Sequence, residues 1–227
     1  MNQTIFPSVI YEDTHLLCIN KPAGLRSLPD GYHRELPHLR SVLEPIFGRL
    51  WIVHRLDKDT SGVILLARSA DAHKSLNQQF QDRDTFKIYH GIIQGSPYWE
   101  TVNISSPLRV NGDHRHRTVV DNNCGKSAST DCRVLKRLAS STLLSIHPHT
   151  GYTHQIRSHL SSIGFPLLAD TLYGAIIPPP RLGDFNRIAL HAYSIQFRHP
   201  EIGENMELTA PYPYDFNQHL NQTQPVK

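Results

Sequence analysis

The sequence is poor in cysteine and has no long apolar run. It contains three cysteines, Cys18, Cys124 and Cys132, an odd number without a CxxC pair. This pattern argues against a disulfide framework and against a structural zinc site, and it favours a reducing compartment. The longest apolar stretches, VILLA and LLCI, are far shorter than the ~20 residues that a membrane-spanning helix needs. We therefore expect a cytoplasmic protein that does not span a membrane.

A leader sequence and a strong charge bias are missing as well. The stretch MNQTIFPSVIYED has neither the basic nor the apolar region of a secretory signal peptide. The 23 Lys and Arg residues and the 20 Asp and Glu residues give a net charge of +3. A surplus this small permits nucleic acid as a partner without requiring it. With 39% hydrophobic residues among 227, the chain can bury the core of one large domain or of two small subdomains.

Strand and helix patterns follow one another without strict alternation. Apolar runs of strand length include LLCIN, VILLA, KIYHGIIQG, STLLSIHP and RIALHAYSIQF. Helical signals occur in a segment interrupted by Pro45, in one capped by Ser69 and in one that Gly164 ends. The prolines 178–180 and the residues after Pro211 have the composition of connectors or surface. This mixture predicts an α+β fold with a mixed, largely antiparallel central sheet and flanking helices.

A crowded polar turn precedes the apolar run VILLA, where residues 54–62 read HRLDKDTSG. Its Asp57 is suited to be a nucleophile, a general base or a metal ligand, or simply to form the turn. We interpret Asp59 as a residue that shapes the turn. The predicted helix in THQIRSHL carries Arg157 on its polar side, where the arginine could reach a carboxylate. Such a pair would keep an aspartate ionised and lower its pKa by roughly 1 to 3.

Five segments, in the same order, resemble the motifs of the RluA-type pseudouridine synthases. HRLDKDTSGVILLAR resembles the signature segment of that family. The other four are YEDTHLLCINKPAGL, KIYHGIIQG, HPHTGYTHQIRSHLSSIGFPLLADTLYG, and ALHA followed by FRHP. Together they cover roughly residues 9–200. A lone HRLD would be unspecific, but five ordered segments are highly specific.

The resemblance implies an isomerase that breaks the glycosidic bond of a uridine in RNA, rotates the uracil and rejoins it through C5. Asp57 aligns with the covalent catalyst, which attacks either C6 of the base or C1′ of the ribose. Tyr89 aligns with a tyrosine that packs on the target base and is a candidate for removing the C5 proton. Arg157 aligns with the arginine that pairs with the catalytic aspartate. The family fold would place these residues in a central active-site cleft, and the isomerisation requires neither a metal nor a cofactor.

The same resemblance, together with the local composition, suggests which side chains meet the RNA. The uridine must leave its stack to be reached, and Arg55 lies near the space that it would leave. The other candidates are Lys21 from the segment YEDTHLLCINKPAGL, His54 from the signature segment, and Tyr152 and Gln155 from the segment HPHTGYTHQIRSHLSSIGFPLLADTLYG. A polar, hairpin-like stretch, RVNGDHRHR, offers donors for phosphates. These donors are Arg109, His114, Arg115, His116 and Arg117.

The sequence departs from the family pattern at two positions. Tyr152 stands where arginine is usual, which bears on substrate choice, and Gly91 stands where alanine is common. The first strand begins near residue 9, so we expect no N-terminal S4-type RNA-binding domain. Residues 1–227 should form a single catalytic domain with a core of about 9–212 and a C-terminal tail over 213–227. The expected partner is tRNA or ribosomal RNA, and the enzyme should be a monomer without an obligate protein partner.

Other functions fit the same residues less well. The histidines of HPHTGYTH could suggest a zinc hydrolase, but they lack the HExxH spacing. HRLDKD resembles a kinase catalytic loop, but the sequence has no Gly-rich phosphate loop and no DFG. The main competing hypothesis is an RNA-binding module that keeps the fold without catalysis. The intact set Asp57, Tyr89 and Arg157 argues against it, and the Asp57→Ala substitution distinguishes the two because only an enzyme would lose product formation.

Overall fold

The structure, a computed structural model, describes residues 6–174 and 185–222. In chain order, its strands are β1 (Ser8–Glu12), β2 (Leu16–Lys21), β3 (Trp51–Ile52), β4 (Ser61–Ala67), β5 (Phe86–Gln94), β6 (Thr101–Ile104), β7 (Leu108–Arg109), β8 (Val119–Val120), β9 (Thr130–Arg137), β10 (Ser141–Pro148), β11 (Leu190–Arg198) and β12 (Asn205–Thr209). Its helices are α1 (Leu39–Phe47), α2 (Ala70–Asp82), α3 (Gln155–Ser162) and α4 (Tyr214–Gln222), with a 3₁₀ turn over Thr171–Tyr173. The proline run 178–180, expected to be a connector, lies outside the described residues.

The chain separates into two compact units, each made from two stretches of sequence. The first unit comprises Met1–Lys87 and Ala192–Pro211. The second unit comprises Ile88–His191 and Tyr212–Lys227. The expectation of a single catalytic domain with a central cleft stays a prediction.

In the first unit, the buried strand β4 pairs with β2 and β3 in antiparallel register and also neighbours β11. Every residue of β4 is buried, as expected of an apolar run that is covered on both faces. Gly62 is required where β4 passes β11, because a Cβ there would lie 2.1 Å from the backbone oxygen of Ala192. Helix α2 begins after the predicted N-cap Ser69, buries Ala72 and Leu76, and packs on β4.

In the second unit, the sheet order is β5, β10, β9, β6, with antiparallel pairs throughout. Helix α3 packs Ile156 and Leu160 into a core that includes Ile93 and Ile146 of the sheet. Gly164 follows the helix at φ 84°, the left-handed conformation expected of its stop signal. Strands β7 and β8 pair as an antiparallel hairpin, which confirms the hairpin predicted for RVNGDHRHR.

The residues after Pro211 were expected to be a tail, and for Tyr214–Gln222 this expectation is wrong. These residues form helix α4, whose Phe216 is fully buried and packs with Ile92 and Ala189. Polar residues surround Phe216 in the sequence, so the short apolar stripe of α4 was not evident from the pattern.

Other features also differ from the expectations. Pro45 does not interrupt α1: the helix continues to Phe47, and the N–H of Gly48 donates to the Glu44 carbonyl at 3.0 Å. Strands β6 and β12, which are largely exposed and have few apolar residues, were not predicted.

The α+β class with mostly antiparallel strand pairs is nevertheless confirmed. Among the described helices, none has the length and apolar character needed to cross a membrane.

Candidate active site

In the first unit, the loop between β3 and β4 carries Asp57 and is fixed through its backbone. The hydroxyl of Ser27 donates to the carbonyl of Leu56 at 2.8 Å and accepts from the N–H of Leu56 at 3.0 Å. Ser27 is buried, and so is the side chain of Leu56. One residue from the KPAGL region therefore holds both backbone groups of the residue immediately before Asp57.

The residue after Asp57 is held by a buried lysine. The ammonium of Lys21 donates to the carbonyls of Lys58 at 3.0 Å, Leu25 at 2.7 Å and Pro22 at 3.0 Å. The Lys58 carbonyl also accepts from the N–H of Gly24 at 2.8 Å. Lys21 is 0% exposed, so its ammonium joins two loops from within, a position unsuited to the RNA contact expected of it.

His54 fixes the beginning of the loop. Its Nε2 accepts the backbone N–H of Leu65 at 2.9 Å, and its ring stacks on Phe80 with 4.7 Å between centroids. Burial first, and then the positive charge of Lys87, lowers the pKa of His54 to about 3. The ring is therefore neutral at pH 7, with its proton on Nδ1, because Nε2 acts as an acceptor. These contacts attach the loop to β4 and to α2.

Asp57 itself is half-buried, and its carbonyl accepts the N–H of Thr60 at 3.1 Å. This bond closes a tight turn, which then leads into the buried strand β4. Arg55, two residues earlier, is exposed. The predicted site residues Lys21, His54, Arg55 and Asp57 are thus brought together in the first unit.

In the second unit, Arg157 lies in the first half of α3 and is buried. Its Nε and Nη2 donate to the two oxygens of Asp170 at 2.7 and 2.9 Å. The two side chains are 6% and 1% exposed. Two parallel bonds of this kind fix the plane of a guanidinium. Asp170 was not anticipated from the sequence, and the predicted pairing of Arg157 with Asp57 stays a prediction.

The ring of Tyr173 lies against the same guanidinium. The Arg157 Cζ is 4.9 Å from the ring centroid, and the Arg117 Cζ is 5.8 Å from it. The Tyr173 hydroxyl accepts the N–H of Thr118 at 2.9 Å. Tyr173 was also not anticipated, although it lies in the segment HPHTGYTHQIRSHLSSIGFPLLADTLYG, which resembles a family motif. It brings together Arg157 and the hairpin residue Arg117.

The two remaining predicted residues of the same segment, Gln155 and Tyr152, differ in exposure. Gln155 is buried, and its amide is engaged on both sides. The oxygen accepts from the Thr150 hydroxyl at 2.7 Å and from the N–H of Tyr152 at 3.2 Å. The nitrogen donates to the Ser129 carbonyl and the Thr130 hydroxyl, each at 3.0 Å. Gln155 therefore shapes the turn before α3, whereas Tyr152 is only half-buried.

Tyr89 lies on β5 opposite Ile146 of β10 and packs against the core cluster that includes Ile156. It is half-buried. Its strand position matches the prediction, and its proposed contact with a target base stays a prediction.

The β7–β8 hairpin presents its arginines differently. Arg109 is about half exposed and pairs with Asp121 at 2.7 Å. Arg117 pairs with Asp113 at 2.7 Å and donates to the Leu172 carbonyl at 3.1 Å. Arg115 is exposed, as are both hairpin histidines, His114 and His116. The hairpin thus combines an anchored arginine with outward-facing donors.

The described residues of the two units offer no set of metal ligands. Within residues 6–174 and 185–222, no group of three or more His, Cys, Asp or Glu side chains is arranged to hold a metal ion. Cys18 and Cys132 are buried, and burial raises the pKa of both thiols. The geometry of the described residues shows a restrained loop that carries Asp57 in the first unit and a restrained arginine in the second.

Comparison with known proteins defines the class of this chain. The family model of the RNA pseudouridylate synthases matches residues 15–162. The chain therefore belongs to the RNA pseudouridylate synthase family, whose members are isomerases that act on RNA. This confirms the family resemblance predicted from the sequence.

Individual relatives extend the similarity over nearly the whole chain. The ribosomal large subunit pseudouridine synthase D of Pseudomonas aeruginosa is 38% identical over 94% of this chain and 71% of its own length. The enzyme of the same name from Nitrosomonas europaea is 38% identical over 91% and 62%, respectively. The ribosomal large subunit pseudouridine synthase C of Buchnera aphidicola subsp. Schizaphis graminum is 34% identical over 96% and 71%. The chain thus spans 62% to 71% of the length of these relatives.

Two solved structures share the fold. Human RNA Pseudouridylate Synthase Domain Containing 1 superposes with a TM-score of 0.81 and 25% identity, covering 100% of this chain and 92% of that one. Human RNA Pseudouridylate Synthase Domain Containing 4 gives a TM-score of 0.77 and 25% identity, covering 97% and 95%. The pseudouridine synthase fold expected from the sequence is confirmed.

Proposed function

We propose that this protein converts specific uridines of large-subunit ribosomal RNA into pseudouridine, with Asp57 as the covalent catalyst. The observation that supports this most strongly is the loop around Asp57, which is restrained on both sides by Ser27 and Lys21 in a chain of this family. Relatives named for the ribosomal large subunit, with 34% to 38% identity, support ribosomal RNA over tRNA as the substrate.

The proposed reaction balances without a redox partner. The bond between C1′ and N1 of the uridine breaks, a bond between C1′ and C5 forms, the C5 proton leaves and N1 gains a proton. The carboxylate of Asp57 attacks either C6 or C1′, since both routes satisfy this balance. A nucleophile of this kind must be ionised and held in place, and the backbone restraints around Asp57 supply the second condition.

Tyr89 and Arg157 complete the proposed catalytic set. Arg157 contributes a positive charge that keeps the carboxylate of Asp57 ionised. Tyr89 packs on the uracil and takes part in removal of the C5 proton. The uridine is flipped out of its stack to reach them, which costs a few kcal/mol in paired RNA.

The candidates for RNA contact divide by their burial. Arg55, Arg109, Arg115 and Tyr152 retain exposed surface and are proposed to meet the RNA. Lys21, His54 and Gln155 are engaged with neighbouring groups inside the protein, and we propose that they shape the site. Arg117 is proposed to anchor the hairpin through Asp113 and the Leu172 carbonyl. We further propose that the protein acts as a monomer in the cytoplasm, where ribosomal RNA is found.

The test uses RNA labelled with tritium at C5 of uridine, prepared from cells that lack this protein. Large-subunit rRNA, small-subunit rRNA and tRNA are incubated separately with the wild type and with Asp57→Ala. Release of tritium from the large-subunit fraction by the wild type alone is the expected result. Release from tRNA only would overturn the assignment of large-subunit rRNA as the substrate. Equal release by Asp57→Ala would overturn the catalytic role of Asp57. Binding without release from any fraction would favour the RNA-binding module.

A further inference from the structure

We propose that Asp170 and Tyr173 are positioning residues that hold the guanidinium of Arg157 for catalysis. The inference rests on the proposed function, because it assumes that Arg157 acts on the catalytic carboxylate. It assigns a role to two residues outside the predicted catalytic set. Both lie within the second unit, where their contacts with Arg157 are described.

The ion pair determines the plane of the guanidinium. Asp170 receives two hydrogen bonds from Arg157, at 2.7 and 2.9 Å. Asp170 is itself fixed, because its N–H donates to the Leu167 carbonyl at 3.2 Å and its carbonyl accepts from the N–H of Tyr173 at 3.0 Å. A planar fork bound at two points cannot rotate about its own axis. Asp170 thus sets the direction in which the remaining part of the guanidinium faces.

The ring of Tyr173 restrains the same group from a second direction. It lies 4.9 Å from the Arg157 Cζ, within the range of a cation–π contact. The ring is fixed at its hydroxyl by the N–H of Thr118, at 2.9 Å. The backbone carbonyl of Tyr173 accepts from the Ser161 hydroxyl at 2.7 Å. Ser161 is on α3, the helix that carries Arg157, so the helix and the 3₁₀ turn are bound together.

Stability alone is a weak reason for this arrangement. A buried ion pair costs desolvation, and apolar residues of the same volume often serve a protein core equally well. A fixed guanidinium, by contrast, has a use in catalysis, because a misplacement of about 1 Å can cost roughly a hundredfold in rate. We therefore infer that these contacts serve to orient the guanidinium of Arg157.

The decisive experiment is a kinetic double-mutant cycle on the full chain. Single-turnover rates of pseudouridine formation and RNA Kd are measured for wild type, Arg157→Ala, Asp170→Asn and the double variant. We expect Asp170→Asn to lower the rate by about a hundredfold and to leave the RNA Kd unchanged. Because Asp170 acts through Arg157, the double variant should be no slower than Arg157→Ala.

Substitutions of Tyr173 keep the test decisive if Asp170→Asn does not fold. Tyr173→Phe keeps the ring and loses only the hydroxyl bonds, so it should melt at a lower temperature with a rate near that of the wild type. Tyr173→Leu loses the ring and should be at least about tenfold slower than Tyr173→Phe. Equal rates for these two variants would overturn the role of the ring.

The proposal as a whole would be overturned by a wild-type rate in folded Asp170→Asn, by a multiplicative loss in the double variant, or by a rise in RNA Kd that explains the lower rate. A wild-type rate in Arg157→Ala would also remove it, while product formation that still depends on Asp57 would leave the proposed isomerisation intact. Absence of product from the wild type would instead be a failure of the proposed function.

Discussion

The loop that carries Asp57 in the first unit is fixed through its backbone, whereas Arg157 in the second unit is fixed through its side chain. Ser27 and Lys21 bind the backbone of the residues before and after Asp57. Asp170 instead binds the guanidinium of Arg157 directly. A nucleophilic carboxylate must be held in place, and the neighbours of Asp57 restrain it through the backbone of the loop. A cation that supplies only charge can share its donors with a buried anion.

Among the residues that hold the Asp57 loop, the largest expected effect comes from breaking the backbone restraint by Ser27. Ser27→Ala leaves the N–H and carbonyl of Leu56 unsatisfied, which costs about 1–3 kcal/mol for each buried group. The loosened loop should lower the single-turnover rate by roughly a hundredfold, with RNA Kd unchanged. Urea unfolding and single-turnover kinetics measure the two effects.

Ser69→Ala is the matched control for that substitution. It removes the N-cap of α2 in the same unit and should cost about 1 kcal/mol of stability without slowing the reaction. A rate loss in Ser69→Ala as large as that in Ser27→Ala would mean that general destabilisation explains both.

The second prediction tests whether the buried lysine is structural. Lys21→Met removes the donor to three carbonyls and should lower the free energy of unfolding by about 2–3 kcal/mol. Because Lys21 is 0% exposed, the salt dependence of RNA binding should not change. A smaller slope of log K against log salt in Lys21→Met would instead make Lys21 a phosphate contact, as the sequence suggested.

The third prediction concerns the loss of folding stability at acidic pH. The pKa of His54 is lowered to about 3 and that of His90 to about 4, in both cases mainly by burial. Between these values and the unfolded pKa of about 6.5, the unfolded chain binds protons that the folded chain does not. Stability is therefore fully present above pH 6.5 and falls as the pH is lowered. For His54 alone the loss from pH 7 to pH 5 should be about 1–2 kcal/mol.

His54→Gln isolates this contribution, because an amide oxygen can still accept the N–H of Leu65. Urea unfolding at pH 7, 6 and 5 should show a smaller loss of stability for the variant than for the wild type. Identical pH dependence in the two proteins would show that His54 is not buried as a neutral ring.

The smallest expected effect separates two arginines of the hairpin. Arg115 is exposed, so Arg115→Gln should reduce the salt slope of RNA binding by about 0.7 to 0.9, the value for one phosphate contact. Arg117 is bound to Asp113 and to the Leu172 carbonyl, so Arg117→Gln should mainly lower the melting temperature. Filter binding at several salt concentrations measures the slopes, and equal slopes for both variants would refute this division.

The elements with strong local patterns could be predicted from the sequence. The run VILLA became the fully buried strand β4, and Ser69 and Gly164 mark the ends of helices as expected. Helix α4 escaped prediction because its buried Phe216 is surrounded by polar residues. Pro45 was misjudged because a proline close to the end of a helix removes only one of the last backbone bonds.

The features of the candidate site that the sequence could not predict were missed for a different reason. The donors of Lys21 bind the carbonyl of Lys58, which lies 37 positions away, and only the folded chain brings them together. Asp170 is 13 positions from Arg157, with no periodicity that links them. Sequence motifs thus indicated candidate site residues but could not tell an exposed side chain, such as Arg55, from an internal anchor, such as Gln155.

The most direct test compares the two acids of the same turn. Pseudouridine formation on large-subunit ribosomal RNA is measured under single-turnover conditions for wild type, Asp57→Asn and Asp59→Asn, all checked for folding and RNA Kd. We expect Asp57→Asn to lose at least roughly 10⁴-fold in rate and Asp59→Asn to stay within about tenfold of the wild type. Comparable rates for the two variants would contradict the claim that this loop exists to present Asp57.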